Sequence, residues 1–556
     1  MRFKFLLFAL FLLLLTACHK PPDLPAKPVI IAAPGVLEQV RTRAGHGQLP
    51  RPVDLLNGNP VRGAKIWVEL QNGWVRLTVD APGYRRKLKW EETSQPLPDK
   101  IVLAPLDKER YREVAWENSR APRLIMLGFD GMTDSLFRAG LERHELPAFE
   151  VLLEKGSWGP LKSCCETVSA AVWTSIFTGL PPGEHGIKDV LATDPVTGNP
   201  VSLTYADVRA PRLWGIVRRS GYKVLVGGGL LMDPAVNAFG RLSNYADKSS
   251  IFQRAMAMEQ PRLAVIYEEE ADQTGHMWWK DMEPEIFRAR GWPVPENEVR
   301  FHGEHIAQAY RNLDAWVANA LQAAGPRTVI LINSDHGFQG MPDTPPVSVN
   351  SDAFARAVAP RGFHACDTDN INEIMLCADP QVDPRPFAQA LRDARLEDGT
   401  APFPRITDRS APLFINDNPP AVAIRVTLDG AAMYEALTKH KKLIISRRAY
   451  DLASFLQLNP SSGGHLETGL FFIAGSEIKP NSAVRDASIY DITPNALTIL
   501  GLPVGRDMIG RVWSEVFREP PRINFIPTYG RLKPGGSPLP ATQQELERLR
   551  QLGYIN

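Results

Sequence analysis

Leu124-Ile125-Met126-Leu127-Gly128-Phe129-Asp130-Gly131-Met132 is an unbroken apolar run of strand length that stops on a carboxylate. No polar residue alternates within it, which predicts a strand covered on both faces, as in a parallel sheet. Two later runs repeat the pattern. Leu263-Ala264-Val265-Ile266-Tyr267 precedes Asp272-Gln273-Thr274-Gly275-His276, and Thr328-Val329-Ile330-Leu331-Ile332 precedes Asn333-Ser334-Asp335-His336-Gly337. Between them Ile306, Tyr310, Leu313, Val317, Ala320 and Leu321 recur at helical spacing before Gly325. Strands alternating with amphipathic helices predict an α/β fold, a doubly wound and mostly parallel sheet with helices on both faces. In such sheets sites form beyond the carboxyl ends of the strands, where these polar clusters fall.

The residue types at those ends are metal donors and a nucleophile. Asp272 and His276 stand at i and i+4, so a helical turn brings carboxylate and imidazole to one face. Asp335 and His336 are adjacent, and Gly463-Gly464-His465 precedes the apolar run 469–475. Ser169 opens Ser169-Ala170-Ala171-Val172-Trp173-Thr174-Ser175-Ile176-Phe177-Thr178, which suits a short buried helix closed by Gly179. A serine there has two readings: a helix cap, or a nucleophile helped by the positive helix end and a bound metal. Taken singly, Asp130 and Ser169 read as caps and each histidine as structural. Their joint occurrence beside strand ends favours a site.

Gly128-Phe129-Asp130-Gly131-Met132, Ser169 through Gly179 and Pro182-Gly183-Glu184-His185-Gly186-Ile187 together resemble the type I phosphodiesterase and nucleotide pyrophosphatase family of the alkaline phosphatase superfamily. The resemblance implies an alkaline-phosphatase-like catalytic domain with Ser169 as a metal-bound nucleophile. One metal is then held by Asp130, Ser169, Asp335 and His336, and the other by Asp272, His276 and His465. His185 maps onto a structural turn and stays outside the metal set. Nitrogen and oxygen donors suit two divalent ions, zinc first and manganese as the alternative. The implied reaction cleaves a phosphodiester or phosphomonoester through a phosphoserine.

The substrate is less specified. The family's nucleotide pyrophosphatases carry a phosphate-binding asparagine 21 positions after the nucleophile, where this chain has Val190. Lys188, or a residue of the cap, is the candidate to replace that donor. A phosphonate hydrolase and an envelope head-group transferase stand as alternatives, and a non-catalytic envelope scaffold is the reading from another class. Ser169-Ala170-Ala171-Val172 lacks the Cys/Ser-x-Pro-x-Arg pattern of sulfatases. Tyr490-Asp491-Ile492-Thr493-Pro494 resembles the superfamily's closing helix, with Thr493 expected as N-cap and Pro494 at the first helical position.

The rest of the chain sets context. At 556 residues more than one domain is expected. A net charge of +1 gives no nucleic-acid-binding footprint. Arg2 and Lys4 precede an apolar stretch from Phe5 to Leu15, a secretory signal too short to span a membrane with assurance. Leu15-Thr16-Ala17-Cys18 resembles the lipobox of bacterial lipoproteins, which implies lipidation of Cys18 and a periplasm-facing, lipid-anchored chain, and His19 fits sorting to the outer membrane. A plain cleaved signal with an incidental Cys18 is the alternative. Residues 18–55 are rich in proline and read as an extended tether.

Residues 56–105 read as a small all-β module, because Asn72-Gly73 between Lys65-Leu70 and Trp74-Val79 is a type I′ hairpin signal. It resembles carboxypeptidase-regulatory-like and PEGA-type modules, which implies a spacer. The catalytic domain is expected over 118–520, with an insertion or cap at about 340–460 and a tail at 521–556. In an oxidising compartment Cys366 and Cys377 are expected to close a short loop, with Cys164 and Cys165 as alternative partners. Oligomeric state is not legible.

Overall fold

The chain is described from a computed structural model. The structure describes residues 25–542 and 546, except 34, 44–48, 165–166, 194–199, 230, 232, 234–235, 241–244, 344–345, 367–372, 380, 411–421, 459–460 and 534–538. Cys18, the signal segment and Cys165 therefore lie outside the described residues.

Near the N-terminus, β1 (Val29–Ala32), β2 (Lys65–Gln71), β3 (Trp74–Asp80) and β4 (Lys87–Glu92) form one sheet in that order. The β2–β3 turn has Asn72 at φ 47° and Gly73 at φ 82°, the positive pair a type I′ turn needs. β1 corrects the tether reading. Val29 to Ala32 pair in parallel with Lys65 to Val68, and Arg51–Asp54 pairs in parallel with Lys100–Leu103. Pro28 sits just before β1, where its missing N–H costs no ladder bond.

The central sheet comprises β5 (Leu124–Phe129), β6 (Gly156–Lys162), β7 (Val224–Gly227), β8 (Leu263–Glu268), β9 (Val329–Asn333) and, after an excursion, β16 (Thr468–Gly475). The order is β7-β8-β5-β9-β16-β6, with the first four parallel and β16 antiparallel to both its neighbours. The α/β expectation holds, and successive residues of β5 show why. Ile125, Leu127 and Phe129 enter one core, whereas Leu124 and Met126 enter the other. The first core is built with the helix His305–Ala323; the second with α1 (Ser169–Thr178) and the helix Ile492–Leu500.

Four further helices that bear on the site are numbered α2 (Glu270–Met282), α3 (Glu296–His302), α4 (His305–Ala323) and α5 (Ile492–Leu500). At the start of α5 the structure differs from expectation. Asp491 is the N-cap residue, and Thr493 lies inside the helix, its hydroxyl donating at 2.6 Å to the Ile176 carbonyl of α1. The supposed tail also differs: Phe525–Ile526 pairs with Val504–Gly505, and Leu539–Pro540 pairs with Pro200–Ser202.

The excursion between β9 and β16 begins with β10 (Gly337–Gly340) and ends with β15 (Gly463–Leu466), which pair antiparallel and close a stem. Between them β11 (Phe363–Cys366), β12 (Glu373–Ala378), β13 (Arg405–Ser410) and β14 (Val422–Thr427) form a sheet in the order β11-β12-β14-β13. Phe354, Leu376, Ile424 and Leu443 are wholly buried in a core separate from the two cores of the central sheet. Cys164 and Cys377 are each disulfide-bonded, while the Cys366 side chain lies outside the described residues.

The N-terminal sheet is docked on α3 and α4, which in turn contact α2, the helix that carries Asp272 and His276. Trp90 Nε1 donates to the Phe301 carbonyl at 2.9 Å, and its ring stacks on His305 at 3.8 Å. Trp278 of α2 stacks on His302 at 3.9 Å. His302 Nδ1 lies 3.0 Å from His305 Nε2, and its Nε2 lies 3.3 Å from Glu298. Lys87 reaches Asn312, which in turn donates to Glu270 on α2.

Burial, together with Lys280 and Arg76, holds His302 down at about 3, and burial with His302, Lys89, Arg76 and Lys280 keeps His305 well below its ordinary value. Both folded-state values lie below the unfolded one, so the unfolded chain takes up protons first and stability falls as pH drops through 6.5. Each histidine contributes a slope of up to about 1.4 kcal/mol per pH unit. From pH 7 to pH 4.5 the change in urea midpoint is expected to be less destabilising in His302→Gln than in the wild type. The same pH dependence in both proteins would exclude this origin of acid lability.

Candidate metal centre

The register of the central sheet sets the polar residues side by side. Gly128 pairs with Tyr267 and with Asn333, so the carboxyl ends of β8, β5 and β9 finish at one edge. Asp130 follows β5 and Asp335-His336 follow β9. α2 starts two residues after β8, and its first two turns present Asp272 and His276. Gly131 makes the approach feasible: it sits at φ +72°, and a Cβ there would stand 2.8 Å from Asp272 Cα. α1 brings Ser169 in from the side. Its N-cap residue is Val168, so Ser169 is the first helical residue and not the cap.

All seven residues named from the sequence converge. Ser169 Oγ lies 3.2 Å from His336 Nε2 and 3.5 Å from Asp130 Oδ1. His336 Nε2 is 3.3 Å from Asp130 Oδ1, 3.2 Å from Asp335 Oδ2 and 3.8 Å from Asp272 Oδ1. His465 Nε2 is 3.2 Å from Asp272 Oδ1 and 3.0 Å from His276 Nε2. Two triads could each hold a metal ion: Asp130, Asp335 and His336, and Asp272, His276 and His465. Ser169, Asp130, Asp335 and His336 are at most 1% exposed, so their polar atoms have little recourse to water.

Outward hydrogen bonds fix which ring nitrogen faces in. His336 Nδ1 donates to the Gly337 carbonyl at 3.0 Å, and His465 Nδ1 to the Thr167 carbonyl at 2.8 Å. Ser461 Oγ gives its proton to the Gly463 carbonyl and so accepts from His276 Nδ1 at 3.1 Å. Each Nε2 therefore faces inward, the orientation a metal-binding histidine needs. The His276 and His465 Nε2 atoms stand 3.0 Å apart, and Asp272 Oδ1 and Asp335 Oδ2 are buried among the site residues. Buried nitrogen and oxygen donors converging in two sets are what divalent ions need, so the residues present fit two of them.

The electrostatics agree. Burial and the Asp272 charge push Asp130 up to about 7, and burial with Asp130 pushes Asp335 well above the carboxylate range. Burial also opposes the charge on Asp272, yet His276 and His465 hold it far below its ordinary value. Burial and His465 keep His336 neutral. These are the groups a cation would stabilise in their ligating form.

Two positions named from sequence stand apart. His185 Nδ1 accepts from the Ile187 N–H at 3.2 Å, and its other nitrogen meets Ser175 Oγ at 2.9 Å, which fits its structural reading. Val190 packs on a small apolar cluster of Ala170, Ile187 and Val208, and offers no side-chain donor. Reading the sequence missed Trp173 and Tyr267, which both donate to Asp130 Oδ2, and Ser461 and Thr167, which orient the histidines. Burial and the Asp130 charge hold the Tyr267 hydroxyl well above its ordinary value, so it remains a donor.

A serine at a buried helix start thus stands beside the Asp130, Asp335 and His336 triad, at the carboxyl edge of the parallel strands, with two candidate metal positions there. A family model described as Type I phosphodiesterase / nucleotide pyrophosphatase matches residues 124–357. Over that segment, less than half of the chain, the sequence is similar to the type I phosphodiesterase family, hydrolases of phosphoric ester bonds. It contains six of the seven residues; His465 lies beyond it and joins by geometry alone. No curated protein matches the chain.

Proposed function

We propose that the chain is a two-metal phosphoesterase in which Ser169 is the nucleophile. The observation that carries this reading is the convergence of the inward Nε2 atoms of His276, His336 and His465 on carboxylates, with Ser169 Oγ beside His336 and Asp130. Asp130, Ser169, Asp335 and His336 would hold one ion, and Asp272, His276 and His465 the other; the donor set suits zinc first and manganese second. Bound there, the ions would lower the Ser169 hydroxyl pKa and offset charge on the phosphoryl oxygens.

Ser169 Oγ forms its bond to phosphorus in line with the departing ester oxygen, which leaves with the electron pair and takes up a proton. Water then attacks the phosphoseryl group from the opposite side, and the serine oxygen leaves and is reprotonated. Two in-line displacements give retention at phosphorus. The positive end of α1 favours the anionic serine oxygen by about 0.3–1 kcal/mol.

Substrate choice falls to the insertion, since Val190 supplies no phosphate donor and the stem springs from the site itself. The lipobox-like Leu15-Thr16-Ala17-Cys18 supports a lipid-anchored enzyme facing the periplasm, at the outer membrane. Among the described residues no helix is long and apolar enough to cross a membrane. The test uses protein lacking residues 1–20, loaded with Zn²⁺ or Mn²⁺, on aryl phosphate monoesters, diesters and phosphonate esters. Turnover of at least one, with preference read from relative kcat/KM, is expected. Metal-loaded protein inert on every ester would favour the scaffold.

A further inference from the structure

Asp130 has two oxygens with different surroundings. Oδ1 faces His336 Nε2 at 3.3 Å and Ser169 Oγ at 3.5 Å. Oδ2 instead receives the Tyr267 hydroxyl at 2.6 Å and the Trp173 indole N–H at 2.9 Å. The donors come from different elements, Tyr267 from β8 and Trp173 from α1 four residues after the nucleophile. Their rings meet edge to face at 5.0 Å and 89°, and both residues are at most 4% exposed. The fold makes room for this pair. A Cβ on Gly128 of β5 would stand 2.6 Å from the Trp173 ring, so only a residue without one lets the indole lie across the strand.

A carboxylate with one oxygen occupied by two buried donors cannot rotate that oxygen inward without leaving both unsatisfied, at about 1–3 kcal/mol each. It also shares its charge with them, which weakens the free oxygen as a donor to a cation. We infer that Trp173 and Tyr267 are positioning residues that restrict Asp130 to one-oxygen ligation through Oδ1, and thereby set the coordination number at the metal position beside Ser169. This rests on the two-metal reading above.

The experiment titrates the full chain with Co²⁺, whose visible absorption weakens as coordination number rises. Wild-type protein is expected to bind two equivalents. Tyr267→Phe, which removes only the hydroxyl, is expected to change affinity for one equivalent by 10–100-fold and to lower that ion's visible absorption, leaving the other ion unchanged. Trp173→Phe should act in the same direction, and the double variant should exceed either alone. Two bound ions with affinities and spectra unaltered in all three variants would overturn the inference while leaving the metal reading intact. A wild-type chain that takes up no Co²⁺ would overturn both. Lowered melting with unchanged spectra would assign the pair to packing and also overturn the inference.

Discussion

Ser169→Ala is expected to lower phosphate-ester turnover by roughly a thousandfold or more, with two divalent ions still bound per chain. The serine is the sole hydroxyl among the seven converging residues, and six ligands remain when it is removed. The substitution suits α1, because alanine is the best helix former and Ser169 is not a capping residue. Loss of fold is therefore not the expected cause of lost rate. Steady-state rates and metal content measured on the same preparation decide the matter. A residual rate within about tenfold of wild type would mean that water attacks phosphorus directly, and that Ser169 only lines the site.

Stripping the metals is expected to reduce activity to background and to lower stability, with both restored by Zn²⁺ or Mn²⁺. If free metal stands a thousand times above its Kd, each ion adds about 4 kcal/mol to unfolding. The loss should be smaller at low pH. Asp130 is raised from 3.8 to about 7 in the metal-free fold, so that fold holds a proton the unfolded chain has released, and this contribution to stability disappears as pH rises through 7. Metal binding must displace that proton, which makes affinity rise with pH in the same window. Calorimetric titration at pH 6 and pH 8 in buffers of different ionisation enthalpy measures the proton release. Tight binding with no proton released would show that Asp130 is already ionised.

The site was legible in the sequence because its residues sit where local rules place them. Asp130 and Asp335-His336 each end an apolar run, and Asp272 with His276 keep helical spacing. What was not legible depends on register between distant segments. Tyr267 reads as the last residue of a buried strand and Trp173 as core of a short helix; only the alignment of β5 with β8 and the missing Cβ at Gly128 turn both toward Asp130. β1 was hidden because four residues among prolines carry no period, and their partner lies more than thirty positions away. Thr493 looked like a cap because it precedes a proline, yet Asp491 of the preceding 3₁₀ turn already takes that place.

The stem of the insertion carries one more consequence. The chain departs immediately after His336 and returns through His465, which faces Phe338 across the β10–β15 pair. The described residues between them include a self-packed unit with its own core. Length and sequence can thus drift beyond the stem while the candidate ligands stay pinned below it. On the proposed function, related chains should differ most in that unit, and retargeting to a new ester would call for transplanting it between Gly340 and Gly463, with the candidate metal centre left untouched.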